Sequence, residues 1–356
     1  MITLVLTNRN RDLQTIKKCL DSLKHQTNQN FELFFVDYGS DFEYVKGLKL
    51  LLLEYSKIIF INCPVSGQLW NKSRAINIAL RQSNTPYFIV GDVDMLFRDD
   101  FIEKNHILKS EQKAIYFKVG FLSKVESQKT KRFENYVVNH YSTKEATGIT
   151  LYPTFLLKQI NGYDEFYHGW GAEDTDVHIR LQNAGSDVEF YEEEVLLLHQ
   201  WHAKTYRSTK SKQPFHFNLE KINQRYLQQT KKIEVVKANL GFEWGLVPDK
   251  EAYSELNSPC EIVEITNEIF EVEAFLKGSM MKYKGKTVCF EIKKHLLNKD
   301  FKNKLKKWLG KKYLAFYTLE QINNDILGTL IMQYRNQPYQ YAFSQETESI
   351  VLKIKL

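Results

Sequence analysis

The chain has 356 residues, 43% of them hydrophobic, and a formal net charge of +6. That length suits two compact units better than one, and that apolar share supplies a core and excludes a disordered chain. Its four cysteines (Cys19, Cys63, Cys260 and Cys289) are scattered and form no CxxC pair, so they read as free thiols in a reducing compartment and not as a small disulfide frame.

Ile2–Leu6 is a β-branched and apolar run that reads as a strand directly after Met1, and no signal peptide is expected ahead of it. Leu13, Ile16, Leu20 and Leu23 recur at helical spacing behind Asp12, a capping residue type. Phe31–Val36 is a uniformly apolar strand that ends at the turn composition Asp37-Tyr38-Gly39-Ser40. Val45–Tyr55 reads as a helix, Lys57–Asn62 as a strand, Lys72–Arg81 as a helix and Tyr87–Val90 as a fourth strand that runs into Gly91-Asp92-Val93-Asp94. This alternation predicts an α/β fold with an open, mostly parallel sheet and helices on both faces.

In such sheets ligands sit beyond the carboxyl ends of the strands. Polar residues collect there: Thr7 to Arg11 after the first strand, Asp37 after the second, Asp92 and Asp94 after the fourth. No GxGxxG follows the first strand and no GxxxxGK[ST] occurs, which argues against a dinucleotide fold and a P-loop. Asp92 and Asp94 share one side of an extended segment. Two carboxylates so close need a cation, and Mg²⁺ or Mn²⁺ suits oxygen donors and a diphosphate.

Three segments resemble the β-1,4-galactosyltransferases and related inverting family 2 glycosyltransferases, among them bacterial polysaccharide and chondroitin-type synthases. They are Thr7-Asn8-Arg9-Asn10-Arg11, Trp70-Asn71-Lys72-Ser73-Arg74-Ala75-Ile76-Asn77 and Gly91-Asp92-Val93-Asp94. The resemblance implies a GT-A (Rossmann-like, nucleotide-diphospho-sugar transferase) fold and a nucleotide-sugar pocket. Thr7 would line it, Arg9 and Arg11 would contact base and diphosphate, and Asp37 the uracil. Asp92 and Asp94 would meet ribose, metal and phosphates, with Arg74 near the diphosphate. Asp37 stands alone where many family 2 members carry two adjacent acids.

A fourth segment, Gly169-Trp170-Gly171-Ala172-Glu173-Asp174-Thr175-Asp176, resembles the galactosyltransferase WGGEDDD run. By that match Asp174 is the general base, Glu173 orients the acceptor and Trp170 packs on the sugar, with Gly171 letting backbone approach the ligand. The same three acids also suit a helix N-terminus. Asp176 and Arg180, four apart, read as a structural pair. Ala172 replaces a glycine and Thr175 an acid.

Val195–Leu198 reads as a strand that ends at His199-Gln200-Trp201-His202. The galactosyltransferases place a Met and a His three apart here as metal ligands. By that resemblance His199 and His202 complete a shell begun by Asp94, and imidazole favours Mn²⁺ over Mg²⁺.

The implied reaction moves a hexose or N-acetylhexosamine, Gal or GalNAc by resemblance, from a UDP-sugar to a glycan or lipid-linked glycan acceptor with inversion. A catalytically inactive glycan- or nucleotide-binding module of the same fold is the rival, and a nucleotidyltransferase would not need the Trp-Gly-Ala-Glu-Asp segment.

The expected division is a catalytic domain over 1–240 and a small α+β domain over 241–356. There Glu261–Ile265, Thr287–Ile292 and Ile350–Ile354 read as strands, His295–Leu309 and Leu319–Tyr334 as helices. Twelve lysines against Glu291 and Asp300 lie between Lys282 and Lys312. The positive charge thus belongs to one segment, which points away from nucleic acid. Leu297, Phe301, Leu305, Trp308 and Leu309 form an apolar stripe among those lysines. A stripe facing the domain core is the first reading, a membrane-surface helix over 295–312 the second, and a site for an acidic acceptor the third. No apolar run approaches the ~20 residues of a membrane span, so a cytoplasmic protein is expected, peripheral to the membrane's inner face if the second reading holds.

Overall fold

Apolar strands buried on both faces alternate with amphipathic helices through the first part of the chain. The order is β1 (Ile2–Asn8), α1 (Leu13–Lys24), β2 (Phe31–Tyr38), α2 (Phe42–Leu52), β3 (Ile58–Cys63), α3 (Lys72–Gln82) and β4 (Tyr87–Asp92). There follow β5 (Met95–Phe97), α4 (Phe101–Leu108), β6 (Lys113–Phe117), β7 (Val119–Leu122), α5 (Lys124–Gln128), β8 (Val138–Tyr141), β9 (Thr150–Pro153) and α6 (Thr154–Gln159). Then come α7 (Glu173–Asn183), β10 (Asp187–Tyr191), β11 (Leu197–His199) and α8 (Phe217–Lys232). This computed structural model describes residues 1–203, 217–344 and 346–356. Residues 204–216, within the span read as catalytic domain, lie outside the described residues.

Two compact units emerge among the described residues: residues 1–63, 70–203 and 217–247 make the first, and residues 64–69 and 248–356 the second. The first is built on a seven-stranded sheet in the order β10-β6-β9-β4-β1-β2-β3, in which β9 alone runs antiparallel to its neighbours β4 and β6. Ile2, Leu4, Leu6, Leu33, Phe35 and Ile89 point to one face, where Ile16, Cys19, Leu20 and Leu23 of α1 and Leu48 and Leu52 of α2 cover them. Helix α3 packs on β1 and β2 and buries Ala75, Ile76, Ala79 and Leu80. With both faces covered, the strands carry continuous apolar runs instead of alternation. A second, four-stranded sheet, β5-β11-β7-β8, takes in the short strands beyond β4.

The second unit holds α9 (Lys250–Ser254), β12 (Glu261–Thr266), α10 (Ile269–Lys277), β13 (Thr287–Lys293), α11 (Phe301–Trp308), α12 (Leu319–Thr329), β14 (Tyr339–Ser344) and β15 (Ser349–Lys355). Its sheet runs β12-β13-β15-β14, with only the first pair parallel. Residues 64–69 join it through Gln68, whose amide donates to the Tyr253 hydroxyl (2.7 Å) and the Gln337 carbonyl.

The segment read as one helix over His295–Leu309 is a 3₁₀ turn, Leu296–Lys299, followed by α11, because Asp300 caps a new helix at Asn303 N. The core-facing reading of its apolar stripe is overturned: Phe301 is 74% exposed and Trp308 81%, and Leu297, Leu305 and Leu309 also reach the surface. Among the described residues no helix is long and apolar enough to cross a membrane.

Candidate active site

Register brings the first acids together. Thr7 pairs with Asp92 across β1 and β4, and Asn8 with Asp37 across β1 and β2, so their carboxyl ends meet on one edge of the sheet. Asp37 is fully buried. It accepts from Asn8 (2.6 Å), from the Ser40 hydroxyl (2.6 Å) and from Asn62 (3.2 Å). Burial raises its pKa while those donors oppose the rise.

Asp94 sits one turn beyond β4 and is nearly inaccessible. Strand β11 delivers the histidines: His199 pairs antiparallel with Met95, and the Gln200 amide donates to the Asp94 carbonyl at 2.8 Å. The chain then turns and returns His202 to the same carboxylate. His199 Nε2 lies 3.6 Å from Asp94 Oδ1, and His202 Nε2 3.4 Å from Oδ2, which also meets the Arg11 guanidinium at 3.0 Å. One ligand atom from each of Asp94, His199 and His202 lies within 4.8 Å of the others, and Asp94 Oδ1 is buried without a hydrogen-bond partner. A buried acceptor left open among two imidazoles is a donor set that fits a divalent transition ion. Burial resists ionisation of Asp94, but His199, Arg11, His202 and Lys72 outweigh it and hold its pKa below the usual value. Burial, then Arg11, lowers the pKa of His202, which favours the neutral imidazole that ligates metals.

The other half of the site is the start of α7. Gly169, Gly171 and Ala172 all have left-handed backbone (φ 76°, 93° and 80°), so the chain turns sharply around Trp170, whose indole is partly exposed. Asn223 of α8 holds this turn by donating to the carbonyls of His168, Trp170 and Gly171. Glu173, Asp174 and Asp176 then fill the first turn of α7. Asp176 belongs to the frame: with Arg180 it forms a fully buried pair at 2.6 Å.

Lys72 joins the two halves. Sequence reasoning gave it no role, yet its ammonium lies 3.2 Å from Asp92, 3.2 Å from Asp174 and 3.7 Å from Glu173. Asn71 caps α3 by accepting from the Arg74 amide, which leaves Lys72 as the first helical residue. That place in the Trp70–Asn77 motif was the available signal. Gly148, also unread, sits beside both acids: a Cβ there would lie 3.5 Å from Asp174 Oδ2 and 3.9 Å from Asp92 Oδ2. Burial pushes Asp174 up to about 8, opposed by Lys72 and assisted by Glu173 and Asp92. Three carboxylates overcome burial to hold Lys72 well above its ordinary pKa.

Arg74 is placed differently from the rest. It is buried on α3, and its guanidinium donates to the Leu246 carbonyl. Arg9 is half-buried in the turn after β1.

Residues 3–109 match the family model of glycosyl transferase family 2, and residues 129–202 match that of the N-terminal domain of galactosyltransferase. Over these two segments the chain carries glycosyltransferase family sequence. Human beta-1,4-galactosyltransferase 4 is 22% identical over 178 residues, 49% of this chain and 45% of that protein. The teichoic acid poly(glycerol phosphate) polymerase of Staphylococcus epidermidis is 34% identical over 94 residues, 26% of this chain and 12% of that one. The chain thus spans less than half the length of these curated relatives. Among solved structures, S. aureus TarS aligns with 67% of this chain and 40% of its own at 12% identity and a TM-score of 0.48. The mannosyltransferase PcManGT of Pyrobaculum calidifontis, in complex with GDP-Man and Mn²⁺, aligns with 66% of this chain and 71% of its own at 14% identity and a TM-score of 0.43. The two matched segments carry Asp92 and Asp94 in one and Asp174, His199 and His202 in the other.

Proposed function

We propose that the protein transfers a hexose or N-acetylhexosamine, Gal or GalNAc, from a UDP-sugar to a hydroxyl of a glycan or lipid-linked glycan, with inversion. The observation that carries this reading is the link made by Lys72, which contacts both Asp92 and Asp174 and whose charge reaches Asp94 of the Asp94–His199–His202 cluster. Asp94, His199 and His202 would hold Mn²⁺, or Mg²⁺ as the alternative. Bound there, the ion would supply positive charge to a diphosphate leaving group.

The residues of the chain divide the remaining work. Thr7, Arg9, Arg11, Asp37 and Asp92 line the sheet edge for the nucleotide, and guanidinium groups match phosphate oxygens in geometry and charge. Arg74 would act on the diphosphate side through its helix, since its described hydrogen bonds go to Leu246. Trp170 offers an aromatic face to the sugar, and Gly171 keeps the backbone beside it uncovered. Asp174 accepts the acceptor's proton as that oxygen bonds to the anomeric carbon and the bond to UDP breaks. Glu173 orients the acceptor. A base held up to about 8 has the proton affinity that such a step needs. Lys72 lies on the same carboxylate and sets where that affinity falls. The division into a catalytic part over 1–240 and an accessory part over 241–356 belongs to this proposal.

The test is release of UDP from a panel of UDP-sugars, with and without oligosaccharide acceptors, by wild type and Asp174→Asn. Acceptor-stimulated release that falls about 10²-fold or more in the variant supports the proposal. Binding without turnover for every donor would favour the inactive binding module.

A further inference from the structure

Helix α11 and its flanks form a surface that the glycosyltransferase reading does not use. Leu296 is 97% exposed, Phe301 74% and Trp308 81%, and Leu305, Leu309, Tyr313 and Leu314 are exposed beside them. Phe301, Leu305, Trp308 and Leu309 lie four, three and one apart, one stripe of a helix. This is a built platform. Asp300 caps the helix at Asn303 N. Asn303 in turn exchanges two hydrogen bonds with the Leu314 backbone, 2.8 and 2.9 Å, which fixes the returning segment against the helix. Lys307 Nζ lies 5.5 Å from the Tyr313 ring centre.

Charge decides what fits. From Lys293 to Leu314 the sequence has nine lysines against Asp300, and Lys302, Lys306, Lys307, Lys311 and Lys312 are exposed. A second copy would bring like charge against like charge. Bases of a nucleic acid would stack on Phe301 and Trp308 but leave Leu296, Leu305 and Leu309 in water. A layer with an anionic face over a hydrocarbon interior satisfies both features at once, since ring edges and leucines enter the acyl boundary while lysines reach headgroup phosphates.

We infer that α11 and its flanks dock the protein on an anionic lipid bilayer, lying in the interface and not crossing it. This inference stands apart from the proposed transfer reaction, and neither depends on the other. Each lysine near such a surface strengthens partition by roughly fivefold, so a handful of lysines with a shallow apolar insertion suffice for reversible attachment.

The experiment is co-sedimentation of the full chain with phosphatidylcholine vesicles, with and without phosphatidylglycerol. It is run for wild type, for Phe301→Ser/Trp308→Ser and for Lys302→Gln/Lys306→Gln/Lys307→Gln, all checked for native circular dichroism. The expected result is binding to the anionic vesicles that weakens about tenfold or more on neutral vesicles and in both variants. Brominated lipids should quench tryptophan fluorescence in wild type and lose most of that quenching in Trp308→Phe. Equal binding to neutral vesicles, no binding to either, or binding that survives both variants would overturn the inference. So would retention on soluble polyphosphate or an acidic protein with no vesicle binding.

Discussion

Replacing Arg180 by Met would test whether α7 is held in place by a buried charge pair. Arg180 and Asp176 are both fully buried. The guanidinium donates to Asp176 at 2.6 Å, to the Ile160 carbonyl at 3.0 Å and to the Gly162 carbonyl at 2.8 Å. The other Asp176 oxygen accepts from the Tyr167 and Thr230 hydroxyls, each at 3.0 Å. Met keeps most of the side-chain length, so packing changes little, but a carboxylate is left buried without its cation. Breaking one side of such a pair costs about 3–5 kcal/mol, and the two carbonyls that lose a donor add about 1 kcal/mol or more each. A loss of roughly 5 kcal/mol is a large share of the ~5–15 kcal/mol that holds a typical domain. At about 2–4 °C per kcal/mol, Tm should fall by about 10–20 °C. Urea and thermal unfolding followed by circular dichroism would measure it. Asp176→Asn/Arg180→Met should cost less than the sum of the two single variants, because no charge is then stranded. A cost under about 1 kcal/mol for Arg180→Met, or strict additivity, would refute the reasoning.

Ala172 has φ 80° at the N-cap of α7 and makes no side-chain cap. Left-handed backbone costs a residue with a Cβ about 1–2 kcal/mol, so Ala172→Gly should raise stability by about 1 kcal/mol in urea titration. Asp174, held up to about 8 by burial, is an available base only above that pH, so UDP release should rise with pH through about 8. Between the ordinary carboxylate range and about 8 the native chain keeps a proton that the unfolded chain has shed, so this group's contribution to stability falls as pH rises. Lys72→Met removes the cation that opposes the shift, and the acid limb of the pH–rate profile should move up by about one unit or more. An unmoved limb would deny Lys72 that influence.

The sheet was legible because strands covered on both faces have nothing to alternate against: the runs at Ile2, Phe31 and Tyr87 became β1, β2 and β4 with small shifts at their ends. Strand β14 went unread because Tyr339, Tyr341 and Phe343 alternate with polar or small residues over only six positions, too short a pattern to separate from a loop. Strand β5, three residues long, escaped for the same reason, yet it is what aligns His199 with Met95. Asp94, His199 and His202 could be named from a family resemblance, while their approach to within 4.8 Å is a product of pairing that no local pattern encodes. Lys72 was hidden because a lysine opening a helix ordinarily faces water; only the meeting of α3 with α7 and with the end of β4 gives it three carboxylates. The stripe of α11 shows the opposite limit. Periodicity reveals that a helix has an apolar face and is silent on whether anything covers it.

The most direct test of the central claim is calorimetric titration of UDP into the full chain, with and without Mn²⁺, for wild type and Asp94→Ala. The account predicts binding that Mn²⁺ strengthens about tenfold or more and that Asp94→Ala reduces to the metal-free level. Absence of UDP binding under both conditions, or Mn²⁺-dependent binding that survives the loss of Asp94, would contradict it.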